Sequence, residues 1–158
     1  MAHITIEYMI MIPVLIMQIF LFPYAASVIM STWGDSNTTI QLQTTAGHMG
    51  SSIQQLYYTI NHGSMSDGSM KITLDVPPII NGHAYTTTLS HATHLDTSYE
   101  IMNVTLKIIG ANVQTSTLVT LGQNVNWTQN LAFNSTSHNL SLIATKNANS
   151  ISISYGGN

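Results

Sequence analysis

The chain has 158 residues, no cysteine, 44% hydrophobic residues and only 6% charged ones, with a formal net charge of −3 when its 7 histidines are neutral. That length suits one domain, or one domain with an appendage, and the pairing of low charge with high apolar content excludes a disordered chain. With 3 Lys and Arg in all, there is no basic patch, so nucleic-acid binding through phosphates has no electrostatic footing. Disulfides are excluded, and Ser, Thr and Asn crowd the chain after Ser31, so its surface is wetted by hydroxyls and amides rather than ions.

An apolar block runs roughly from Tyr8 to Met30, interrupted only by Pro13, Gln18, Pro23 and Ser27. About 20 such residues in a helix span a bilayer, and prolines are tolerated in membrane helices. The first Lys or Arg in the chain is Lys71. Helical spacing continues beyond the block, since Ile53, Leu56, Tyr57 and Ile60 fall on one face. A break near Trp33–Asn37 is left open. The breaker cluster Asn61–Ser69, NHGSMSDGS, ends the helix. If continuous to that point, it would be roughly 85–90 Å long at 1.5 Å per residue.

After Met70 the period changes to two. Ile72, Leu74 and Val76 alternate, Asn81-Gly82 reads as a hairpin turn into a Thr-rich strand, and further short β-branched runs follow, split by Gly and Asn. About seven strands at this spacing read as a sandwich. The expected fold class is α+β: a hydrophobic N-terminal helix over residues 1–61, then an immunoglobulin-like antiparallel β-sandwich head over 62–158.

Glu7 stands at the mouth of the apolar block. A carboxylate inside an apolar helix is costly unless paired. At the headgroup boundary it would cost little; once the helix leaves lipid it needs a cation, and the amine of a neighbouring copy could supply one. Here the sequence resembles a family. HITIEYMIMI, with His3, Thr5, Glu7 and Tyr8, is similar to the start of mature archaeal type IV pilins, which commonly show Gln-x-Ser-x-Glu-Tyr before a hydrophobic run. His3 replaces the usual Gln and Thr5 the usual Ser. The resemblance covers roughly the first 60 residues. It implies leader removal by a prepilin peptidase, with Ala2 as the small residue ending the leader and His3 as the first mature residue. It also implies extraction by an assembly ATPase with a membrane platform, and polymerisation through the helix, with Glu7 as the assembly residue. The leader would hold the basic residues on the cytoplasmic side, in keeping with the positive-inside rule.

Five N-x-S/T sequons begin at Asn37, Asn103, Asn126, Asn134 and Asn139. They are candidate N-glycosylation sites, and covalent glycans are the one non-protein component expected. His83, His91, His94 and Asp96 have metal-ligand chemistry, but residues 91 and 94 point to opposite faces of a strand, so solvated loop histidines are the preferred reading, with no metal or cofactor. No G-x-S-x-G, H-E-x-x-H or phosphate loop is present, so no catalytic residue is assigned. Tyr57-Tyr58 and Trp127 are expected at the interface between helix and head, or in its core.

The leading functional expectation is a non-enzymatic structural subunit of an archaeal adhesive pilus, membrane-inserted before assembly and part of an extracellular helical homopolymer after it. An archaeal flagellar filament is a close variant, against which the Thr-Ile-Glu-Tyr start argues. The alternatives are a single-span surface binding protein or minor pilin-like subunit, and an anchored or secreted hydrolase.

Overall fold

The computed structural model describes residues 2–63, 65–92, 99–126, 131–137 and 140–156, with residues 2–8 described by their backbone alone. One helix, α1, runs Ala2–Ile60. Eight strands follow among the described residues: β1 (Gly68–Thr73), β2 (Tyr85–Ala92), β3 (Glu100–Ile108), β4 (Gln114–Leu121), β5 (Val125–Asn126), β6 (Leu131–Asn134), β7 (Ser141–Asn147) and β8 (Ser150–Gly156). The class is α+β, with helix and strands segregated along the chain.

By packing, the chain forms two units, residues 1–37 and 38–158. The boundary read from sequence, near 61, is where the helix ends; the packing boundary lies inside the helix. The cause is a change of pattern along α1. From Leu42 onward it is amphipathic: Leu42, Ala46, Met49, Ile53, Leu56 and Ile60 are buried at alternating intervals of four and three, with Tyr57 buried beside Leu56, and together they make one face. This half of the helix is an element of the head.

In the first unit the helix continues through Pro13 and Pro23. Each proline removes one backbone donor. It also continues through 33–37, where a break had been left open. Ser31 Oγ and Thr32 Oγ1 both donate to Val28 O, at 2.9 and 2.8 Å, so these hydroxyls are satisfied by the helix's own backbone.

In the second unit the strands form two sheets, ordered β1-β7-β8-β5 and β4-β3-β2-β6. Alternate residues point inward, as period two requires: Tyr85, Thr87 and Leu89 on β2, and Met102, Val104, Leu106 and Ile108 on β3. They share one core with the helix face and with Leu142, Ala144, Ile151 and Ile153 of the other sheet. Pairing is antiparallel except between β5 and β8, where Val125 and Asn126 run parallel to Ile151 and Ser152. That pair departs from the fully antiparallel expectation. The chain leaves β4 at the edge of one sheet, turns through 122–124 and joins the edge of the other in the direction of β8, with Ile151 N donating to Asn124 O at 2.7 Å. The expected Asn81-Gly82 turn is present. Both residues have positive φ, 48° and 81°, and Ile80 and His83 exchange two backbone bonds of 2.9 Å, the primed geometry that suits strand twist.

A ring of side chains anchors the end of the helix. Tyr57 Oη donates to Asn124 Oδ1 at 2.9 Å, Asn124 Nδ2 donates to Asn61 Oδ1 at 2.8 Å, and Asn61 Nδ2 donates to Tyr57 Oη at 3.1 Å. Gly122 lies directly beneath the Tyr57 hydroxyl, where a Cβ would collide with it. Lys146 Nζ donates to Met65 O at 3.1 Å in the loop after the helix.

Two changes should therefore be coupled. Gly122→Ala overpacks the contact and should lower the head's stability by about 1–3 kcal/mol. Tyr57→Phe removes two hydrogen bonds, one of them to the exposed Asn61, and should cost about 0.5–1.5 kcal/mol. In denaturant unfolding the double variant should lose less than the sum, because removing the hydroxyl opens space for the new methyl.

Candidate functional site

Every residue from Met9 to Trp33 is exposed. The exposure falls on large apolar side chains all around the helix, including Met9 at 78%, Phe22 at 74% and Trp33 at 80%. Soluble proteins rarely leave a contiguous apolar patch beyond a few hundred Å². This one is the helix's whole circumference over a stretch long and apolar enough to cross a membrane. Beyond Leu42 the surface character reverses: most apolar residues turn into the core, and Gln43, Thr44, Gly47 and His48 face outward, while Ile40 just before it stays exposed. A surface of this kind can enter lipid or be covered by other apolar helices. It offers nothing to a polar small molecule.

Ala2, His3 and Glu7 lie in the first two turns of α1. Their side chains are outside the described set. The sequon asparagines are dispersed. Asn37 is exposed on the helix, Asn126 is exposed on β5, and Asn134 is exposed at the end of β6, its Oδ1 accepting from Thr136 N at 3.3 Å. Asn103 sits in the middle of β3 and is only partly exposed. Asn139 lies outside the described residues, as do His94, Asp96 and Trp127. Tyr57 packs in the core while Tyr58 is 62% exposed, so the two tyrosines divide between core and surface.

His91 reaches across to Glu100, Nε2 to Oε2, at 2.5 Å. His83 is exposed at the hairpin turn. Among the described residues no three His, Cys, Asp or Glu side chains converge as metal ligands. A broad groove of about 780 Å³ runs along the outward side of the helix's last turns, lined by Ser51, Gln54, Tyr58, Thr59 and His62 among others, with neither a carboxylate nor a lysine in its lining. No family model, curated protein or solved structure matches the chain.

Among the described residues of the head, Tyr85 is the most perturbed ionisable group. Its side chain is fully buried, its hydroxyl donates to Pro77 O at 2.7 Å, and burial pushes its pKa up to about 12 from 10.0. The Tyr57 phenol is also raised, chiefly by burial. Neither residue number nor spacing in the sequence marks Tyr85 as special; only the topology that seats β2 at mid-sheet does so.

The pH dependence follows from these shifts. A folded pKa above the unfolded value means the fold favours the neutral phenol. That stability is complete below about pH 10 and is lost as pH rises from 10 toward 12. The head should hold its stability up to pH 10 as far as these phenols are concerned, then weaken steeply. Tyr85→Phe should cost about 1 kcal/mol at neutral pH through the lost hydrogen bond and flatten the alkaline limb. Chemical denaturation of both proteins from pH 7 to 12 measures both effects.

Proposed function

We propose that this chain is the structural subunit of an extracellular filament of the archaeal type IV pilus kind. It would be held in the membrane by its helix before assembly and bundled through the same helix afterwards. The observation that carries the reading is the helix from Met9 to Trp33, exposed on every side and continuous with a helix face buried in a folded head. Association of such a helix with others removes apolar surface from water at about 25 cal/mol per Å², or replaces lipid contacts by packing. A head-to-tail contact that does not close generates a helical filament.

Glu7 gives the filament its register. The chain has no Lys or Arg before Lys71, so within the helix core the nearest cation for Glu7 is an amino terminus. After leader removal next to His3, as the resemblance implies, the amine of a neighbouring copy pairs with this carboxylate. A prepilin peptidase, an assembly ATPase and a membrane platform are the partners implied in the same way. The heads carry the adhesive surface, and the exposed Asn37, Asn126 and Asn134 offer places for glycans that would shield it.

A single-span surface protein, with the same helix remaining in lipid, is the second reading, because the apolar surface suits lipid as well as it suits other helices. Glu7→Ala separates the two. A charge-assisted contact worth about 2–3 kcal/mol per subunit corresponds to roughly 30–150-fold in subunit affinity. The variant should enter the membrane in normal amounts and yield few or no filaments in shear fractions. Normal filament yield would remove the pairing; no filaments from the unaltered chain would favour the single-span reading.

A further inference from the structure

The sheet β4-β3-β2-β6 turns one face to the core and the other away from it. On β3 the outward series is Ile101, Asn103, Thr105 and Lys107, alternating with buried Met102, Val104, Leu106 and Ile108. The register sets Leu118, Ser116 and Gln114 of β4 opposite Asn103, Thr105 and Lys107. It sets Ser90, Thr88 and Thr86 of β2 opposite the same three. With strands about 4.8 Å apart and same-face residues about 6.6–6.8 Å apart along each, the result is a grid of hydroxyls and amides.

A cleft of about 470 Å³ opens in this grid, lined by Asn103, Thr105, Gln114, Thr115 and Ser116. Its size lies within the range of small-ligand sites. Asn103, Thr105, Gln114 and Ser116 present hydroxyls or primary amides, able both to donate and to accept, while Thr115, opposite Leu106 in register, belongs to the other face of the sheet; none of the five is charged. Two further observations point to a ligand. Asn103 Oδ1 is buried without a hydrogen-bond partner, a defect that folded proteins seldom keep without a reason. Beside it in register, Leu118 is 65% exposed, an apolar platform next to an unmet acceptor.

We infer that this face binds neutral polysaccharide. A sugar ring presents hydroxyls that donate and accept along its edge and a C–H face that packs on an apolar side chain; the cleft and Leu118 supply the complement of each. The lining holds no carboxylate to attract a cation and no cation of its own; Lys107, opposite Gln114 in register, stands beside it, which is why alginate is the comparison in the test. A small turn of the Asn103 side chain toward the cleft lets Oδ1 accept from a sugar hydroxyl and relieves the unmet acceptor. Asn103 also heads an Asn-Val-Thr sequon, so the same sugar chemistry has a covalent source. Only the amide oxygen is buried; a glycan joined at Nδ2 would itself cover the cleft, so the free and the covalent source exclude each other on this face. The site stands on the head alone. In a filament, its repetition would turn weak single contacts into avid ones.

Affinity electrophoresis of the full chain in mild detergent tests this without requiring a filament. Native gels would contain dextran, laminarin or mannan, with alginate as the charged comparison. Retardation is expected in at least one neutral gel and should be insensitive to added salt. The double variant Gln114→Ala/Ser116→Ala should weaken it about fivefold or more, the loss expected for two hydrogen bonds. Thr73→Ala, on the other sheet, should leave it unchanged, and matching thermal unfolding would show that all three proteins are folded. No retardation in any neutral gel, retardation confined to alginate, or retardation untouched by the double variant would overturn the proposal. So would peptide mapping that finds a glycan on Asn103, which would mean that the face is covered by the protein's own sugar.

Discussion

A helix with no wettable face has to be covered. From Met9 to Trp33 the chain presents Met, Ile, Leu, Val and Phe in every direction around the helix axis, and water is a poor solvent for all of them. The other features of the chain can be read as arrangements that make this surface usable. The hydroxyls next to it, Ser31 and Thr32, bond to their own backbone at Val28 rather than asking for water. The head secures the far end of the same helix in a core of two sheets, locked by the Tyr57–Asn124–Asn61 ring.

The head solves a different problem. It folds with very few ions. Its stability rests on a continuous apolar core and on neutral hydrogen bonds, with Tyr85 and Tyr57 buried as uncharged phenols. Alkali acts on these two phenols, whose neutral form the fold favours. On its outward sheet face the same composition yields a grid of Ser, Thr, Asn and Gln, which suits a neutral, hydroxylated partner.

Much of the architecture was legible from periodicity. The face Ile53, Leu56, Tyr57, Ile60 is buried as its spacing requires, and the change to period two after Met70 marks the first strand. Asn81-Gly82 forms its turn because both residues tolerate positive φ. Other features were not legible, because they depend on long-range contacts. The division of α1 at Asn37 appears only once the sheets are in place. Likewise, Gly122 reads as one more loop glycine until Tyr57 is seated above it, and the two-residue parallel pairing of β5 with β8 has no local signature. Among candidate site residues, the sequons were visible as motifs, yet their unequal settings were not. Asn134 is exposed at a strand end, whereas the Asn103 amide oxygen is buried at mid-sheet.

The most direct test of the central claim is cryo-electron microscopy of filaments sheared from cells that express this chain. The account predicts a thin helical filament whose core is filled by the N-terminal helices, with residues 9–33 in contact only with other copies and the β-heads outside. It also predicts that the ordered chain begins at His3, with Glu7 beside the amino terminus of a neighbour. Shear fractions without filaments, with the chain recovered as a detergent-soluble membrane protein, would contradict it.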